Sequence, residues 1–150
     1  MNSLKKISWK AIIIGAVIDV VGTNVASIFF FSYIITQYSL SSLPSEQYVA
    51  KIQEIILHNP VLFGISFLIG AGFSVLGGYV AAWIAKRNEL LNGALSSFLC
   101  VLSGLAGLFM ALNPSVPIIL EILSIPLSPA LGFLGGYIRK RQISSAPVEG

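Results

Sequence analysis

Two carboxylates, Asp19 and Glu121, stand inside long apolar stretches of this 150-residue chain. An aspartate at mid-bilayer costs about 2.5 to 3.5 kcal/mol on the insertion scale, and an ionisable group in such a place is a candidate functional group by position alone. On a helix Asp19 shares its face with Gly15, Gly22 and Ala26, with Thr23 one turn on and Asn24 and Ser27 close by. That face is small and polar and points toward neighbouring helices. Two roles suit it: a proton or cation site, or a hydrogen-bonded group that ties helices together. Glu121 shares a face with Ser124, Ser128 and Gly132, and Pro126 and Pro129 follow it. Proline removes a backbone donor and frees a carbonyl one turn earlier, and broken helices recur at transporter binding sites. A helix interruption is expected here. The candidate polar site is therefore Asp19, Thr23, Asn24, Glu121, Ser124 and Ser128. By helical rise the two carboxylates differ in depth by about 10 Å, too far for direct pairing along straight helices.

The elements that hold these residues follow from composition. Apolar residues make up 55% of the chain and charged residues 10%, with a mean hydropathy of +0.87. A soluble domain carries about 25% charged residues. So few charges exclude a water-soluble surface, and so many apolar residues exclude disorder. An all-α integral membrane protein remains. A spanning helix needs about 20 apolar residues, and four runs qualify, at 9–38, 60–85, 90–112 and 116–138. The first is too long for a signal peptide and reads as a retained span. The polar connection between the first two spans contains Tyr48, Ile52, Ile55 and Ile56 at helical spacing, which predicts a short amphipathic helix over 45–58 at the outer surface. The expected fold is a single-domain bundle of four transmembrane helices.

The basic residues orient it. With four spans, Lys5, Lys6, Lys10, Lys86, Arg87, Arg139, Lys140 and Arg141 fall on one side, and Lys51 alone falls on the other. The positive-inside rule then places both termini in the cytoplasm. Trp9, Trp83 and Tyr137 fall near the inner boundary and Tyr33, Tyr38 and Tyr48 near the outer, as an aromatic belt requires. The net charge of +3 is thus accounted for by topology and anionic lipid, not by nucleic acid.

An internal repeat is legible. Val75–Val80 (VLGGYV) and Phe133–Ile138 (FLGGYI) match at an offset of 58 residues. The same offset aligns Ser66, Gly70, Ser74 and Gly78 with Ser124, Ser128, Gly132 and Gly136. Residues four apart stack on one helix face, so each span carries a column of small residues. Gly15-Ala16-Val17 and Gly93-Ala94-Leu95 match more weakly. The chain reads as two similar helical hairpins. In lipid, small residues let backbones approach and packing supplies the energy. Gly70, Ser74, Gly77, Gly78, Gly132, Gly135 and Gly136 are the expected packing positions. Gly77, Ala81 and Ala85 form a second column beside the first, which leaves one column for a homodimer or a membrane-protein partner.

Other chemistry is not legible. One His and one Cys cannot make a His/Cys metal site, and His58 and Cys100 read as an interfacial and a packing residue. No nucleophile triad, phosphate loop or dinucleotide fingerprint occurs. No cofactor and no enzymatic activity are expected. The segments Trp9–Ala16 (WKAIIIGA), Gly77–Ala82 (GGYVAA) and Leu91–Ala94 (LNGA) resemble small uncharacterised four-span bacterial inner-membrane proteins. The resemblance implies a bacterial inner-membrane location and transfers no functional residue. The expected function is that of a structural or accessory membrane protein acting through helix packing with itself or a partner. The alternative is a small transporter or channel-like protein that uses its carboxylates for proton, cation or small-solute passage.

Overall fold

The computed structural model describes the backbone of residues 7–110 and 118–145 and, within that range, the side chains outside 45–46 and 103–124. The described chain is all helical: α1 (Trp9–Gln37), a single 3-10 turn (Leu40–Ser42), α2 (Ser45–His58), α3 (Pro60–Ala85), α4 (Glu89–Met110) and α5 (Ile118–Ser144). Among the described residues α1 and α3 are long and apolar enough to cross a membrane. The described apolar part of α4, Glu89–Leu102, is shorter than a span. Length and composition therefore carry two of the four expected crossings.

The helix boundaries have local causes. Asn59 caps α3: its Oδ1 accepts from the backbone N–H of Val61 and of Leu62, at 3.0 and 3.2 Å. Pro60 follows at the first helical position, where its missing N–H costs nothing. The turn between α3 and α4 is made by Lys86 and Asn88, both left-handed with φ of 51° and 48°. That conformation ends α3, and Asn tolerates it better than most residues. Glu89 then enters the first turn of α4, where a negative charge complements the helix dipole.

Helix α5 corrects one expectation. Pro126 and Pro129 do not break it; the helix runs through both and continues past the basic run to Ser144. A prolyl residue inside a helix forfeits one backbone bond, and neighbouring helices and Ser side chains make that tolerable in membrane segments. Ser128 Oγ donates to the Ser97 carbonyl at 3.1 Å and so ties this stretch to α4.

Helices α3 and α4 pack on each other, and each also packs on both α1 and α5, which flank the pair. The end of the bundle that holds the α3–α4 turn is close-packed around Ala11, Ile12, Ala16, Ala81, Ala82 and Ala85. Asn92 locks this end. It is fully buried, accepts from Ser8 N–H at 2.9 Å, and donates to the carbonyls of Arg87 and Asn88 at 2.9 and 3.1 Å. The start of α1 is thereby fixed to the α3–α4 turn. At the other end α2 turns its apolar face inward, with Ile52 and Ile56 against Ile34, Leu40 and Leu62. Lys51 and Glu54 pair on its exposed side at 2.8 Å, and the ammonium holds the Glu54 carboxyl below its ordinary range. Large apolar side chains such as Val17, Val21, Phe29, Leu68, Phe67 and Phe133 cover the outside of the bundle. Such a surface suits lipid and not water.

Candidate functional site

The site is built on glycine crossings. A Cβ on Gly15 would fall 2.6 Å from the Gly77 carbonyl oxygen, and one on Gly77 would fall 2.6 Å from that of Gly15. Helices α1 and α3 therefore touch backbone to backbone. Gly78 meets the backbone of Gly132 on α5, Gly135 meets Val75 and Tyr79, and Gly136 meets Glu89. Gly132 also faces Gly93 and Ser97 of α4. Both small-residue columns of α3 are thus used inside the chain, one on α1 and one on α5. Gly70 differs from the other glycines expected to pack. Nothing lies within 4 Å of a Cβ built on it, and it borders a cavity.

That cavity lies outward from the crossings, between α1 and α5. Its volume is about 510 Å³. Ser66, Gly70, Ala71 and Ser74 form its floor on α3, Phe63 and Phe67 extend it outward, Asp19 and Thr23 line the α1 side, and Leu127, Ser128 and Leu131 line the α5 side. Lining residues run along α3 from position 63 to 74, about 16 Å by helical rise. The walls are mainly apolar, and the hydroxyls and the carboxylate are the polar exceptions.

Asp19 sits at the inner end, directly above the Gly15–Gly77 crossing. It is 4% exposed. Thr23, Ser74, Ser97 and Cys100 surround its carboxylate, yet among the described residues Oδ2 has no hydrogen-bond partner. The Ser97 hydroxyl donates to the Ser74 carbonyl at 3.1 Å. The Cys100 thiol lies within reach of the Ala16 and Ser96 carbonyls, at 3.5 and 3.6 Å. No Lys, Arg or His lies among the described lining residues.

The structure brings Asp19, Thr23 and Ser128 to one cavity and leaves Asn24 outside it. Asn24 is exposed, and its Nδ2 donates to the Val20 carbonyl of its own helix at 2.7 Å. Glu121 and Ser124 lie in α5, but their side chains fall outside the described residues. Ser74, expected as a packing residue, does both: it is buried at the α3–α4 contact and borders the cavity. Ser66, read as part of a packing column, lines the cavity. Ser97 and Asn92 were not anticipated. A signal for them exists. Asn92, Ser96 and Cys100 recur every four residues, and the offset that places Gly15 on Gly93 places Asp19 on Ser97.

Comparison of the chain with protein-family models, with curated proteins and with solved structures finds no match.

Proposed function

We propose that this chain is a four-span protein of a bacterial cytoplasmic membrane, with both termini in the cytoplasm, that passes a proton, a cation or a small solute by way of Asp19. One observation carries the reading: a carboxylate oxygen without a partner, nearly fully buried, at the closed end of a cavity. A purely structural polar group in a bundle is satisfied by its neighbours. An unsatisfied one is retained where something else completes it. Binding and passage need no bond chemistry, and the reading is non-enzymatic. In both hairpins a glycine of the first helix, Gly15 or Gly93, meets glycine backbone of the second, Gly77 or Gly132. The test is flux. Purified protein in liposomes passes protons, cations or a small solute, and Asp19→Asn removes the passage; equal flux from the variant refutes the reading. Topology has its own check. With Cys100→Ser as background, single cysteines at Ser42 and Ser144 react with an impermeant reagent from opposite sides, and labelling from one side overturns the four-span assignment.

A second reading, helix packing with a partner or a second copy, is favoured by one observation. Gly64 and Gly72 leave open space on α3 on either side of Leu68, which is 68% exposed. Positions four and eight apart share a face, so a knob between two hollows faces outward. Gly72→Leu fills one hollow and disperses any assembly seen by native mass spectrometry. An assembly that survives the change is not built on this face.

A further inference from the structure

The cavity has the chemistry of a particular ligand class. Its volume of about 510 Å³ falls within the ordinary range for small-molecule sites, about 300 to 1,000 Å³. Its walls are apolar over most of their length, with two aromatic rings, Phe63 and Phe67, toward the outer end. Its closed end carries one buried carboxylate with an unpartnered oxygen. No basic lining residue supplies a counter-charge among the described residues. In a medium of low dielectric constant such a carboxylate attracts a cation strongly. The apolar walls would strip water from an inorganic ion without replacing it, whereas an organic cation brings its own apolar surface.

We propose that the groove between α1 and α5 binds a hydrophobic organic cation, a positive centre on an apolar body, with Asp19 as its counter-ion. This rests on the passage reading above and names what would occupy the site. The apolar body lies along Phe63, Phe67 and Leu131, and the positive centre reaches the Asp19 end. Phe63 and Phe67 are half-exposed on the outer surface of the bundle, so the ligand enters sideways from the bilayer, where such molecules concentrate. The proton and the cation compete for one carboxylate. The groups that face Asp19 are its own-helix Thr23, Ser74 from α3, and Ser97 and Cys100 from α4, with Ser128 of α5 lining the same cavity. The thiol is the one other titratable group among them, so the competition is centred on Asp19.

The probe is radiolabelled tetraphenylphosphonium, measured by equilibrium dialysis against the full chain in lipid nanodiscs, with empty nanodiscs as background. Saturable binding of one cation per chain is expected, weakening as the pH is lowered. Asp19→Asn reduces the affinity by about tenfold or more, as loss of a charged partner does. Gly70→Leu keeps the carboxylate but projects a side chain into open cavity space, and it reduces binding to a similar extent. Neutral triphenylphosphine oxide does not compete. Binding no greater than to empty nanodiscs overturns the proposal. So does unchanged affinity in either variant, or equal competition by the neutral compound. Among the described residues a Cβ at Gly70 meets nothing within 4 Å, so its variant retains the fold if Asp19→Asn does not. The two readings fail separately. Cation binding without flux overturns the passage reading and leaves the site, while Asp19-dependent proton flux without cation binding overturns the site and leaves passage.

Discussion

Gly132→Val is expected to prevent the bundle from closing. Gly132 lies where three helices meet: its backbone is against Gly78 of α3 and against Gly93 and Ser97 of α4. A Cβ there would fall 2.5 Å from the Ser97 hydroxyl oxygen and 2.8 Å from its Cβ, and closer still to the Gly93 carbonyl. The obstruction includes backbone, which cannot swing aside as the end of a flexible side chain can. Helix α5 must then move off both neighbours, and in lipid no hydrophobic drive pushes it back. The expected loss is on the order of 4 kcal/mol, at the extreme for one substitution. Titration of the detergent-solubilised protein with sodium dodecyl sulfate, followed by circular dichroism, measures it. Gly64→Ala is the matched control. It adds a methyl group on the same kind of helix where nothing lies within 4 Å, and should leave stability unchanged or raise it by up to about 1 kcal/mol. If both variants unfold at the same detergent fraction, the crossings do not hold the bundle together.

Asp19→Leu is expected to move function and stability in opposite directions. In the native bundle Oδ2 is buried without a partner, a condition that costs about 1 to 3 kcal/mol for a polar group. Leucine is close to aspartate in length and removes that cost. The variant should resist unfolding better than the native protein by about 1 to 3 kcal/mol. Its passage of protons, cations or solute should fall below detection. Such a trade between stability and activity is common where a strained or unsatisfied group is kept for use. If Asp19 is instead glue between helices, the same substitution breaks its bonds and lowers stability. The sign of the change in the unfolding titration therefore separates the roles before any substrate is known, and a destabilised Asp19→Leu protein would sink the functional assignment of this carboxylate.

Asp19 has a polar counterpart at the same spacing on α4. In the first hairpin Asp19 follows the crossing glycine Gly15 by one turn. In the second, Ser97 follows Gly93 by one turn. The two positions face each other across the bundle near the Gly15–Gly77 crossing. A serine on one side and an aspartate on the other make one polar spot in an otherwise apolar interior, with the charge on α1 alone. The cavity then opens from that spot toward α5 and not toward the α1–α4 groove, whose lining is Ile13, Ala16, Val17, Val20, Val21, Leu99, Leu102 and the Cys100 thiol.

Much of the architecture is written locally. Asn59-Pro60 marks the start of α3 because a capping oxygen and a prolyl ring act within three residues. The amphipathic spacing of Ile52, Ile55 and Ile56 predicts both α2 and the face it buries. The glycines at 77, 78, 132, 135 and 136 announce close approach, since only a missing Cβ permits it. Asp19 is conspicuous because a carboxylate among apolar residues is costly wherever the helix goes. Other features depend on several helices at once. Asn24 and Thr23 are neighbours in sequence and differ by about 100° around the helix, so one meets the cavity and the other turns away. Pro126 and Pro129 suggest a broken helix, but the packing of α5 on α3 and α4 keeps it continuous. Gly70 has the same spacing as Gly78, yet one borders a cavity and the other the backbone of Gly132. Sequence by itself determined the helices, the start of α3 and the residues too small or too polar to be ordinary. The tertiary structure alone decided which of those faces meet, because a helix's periodicity states what each face carries and only its neighbours settle where that face points.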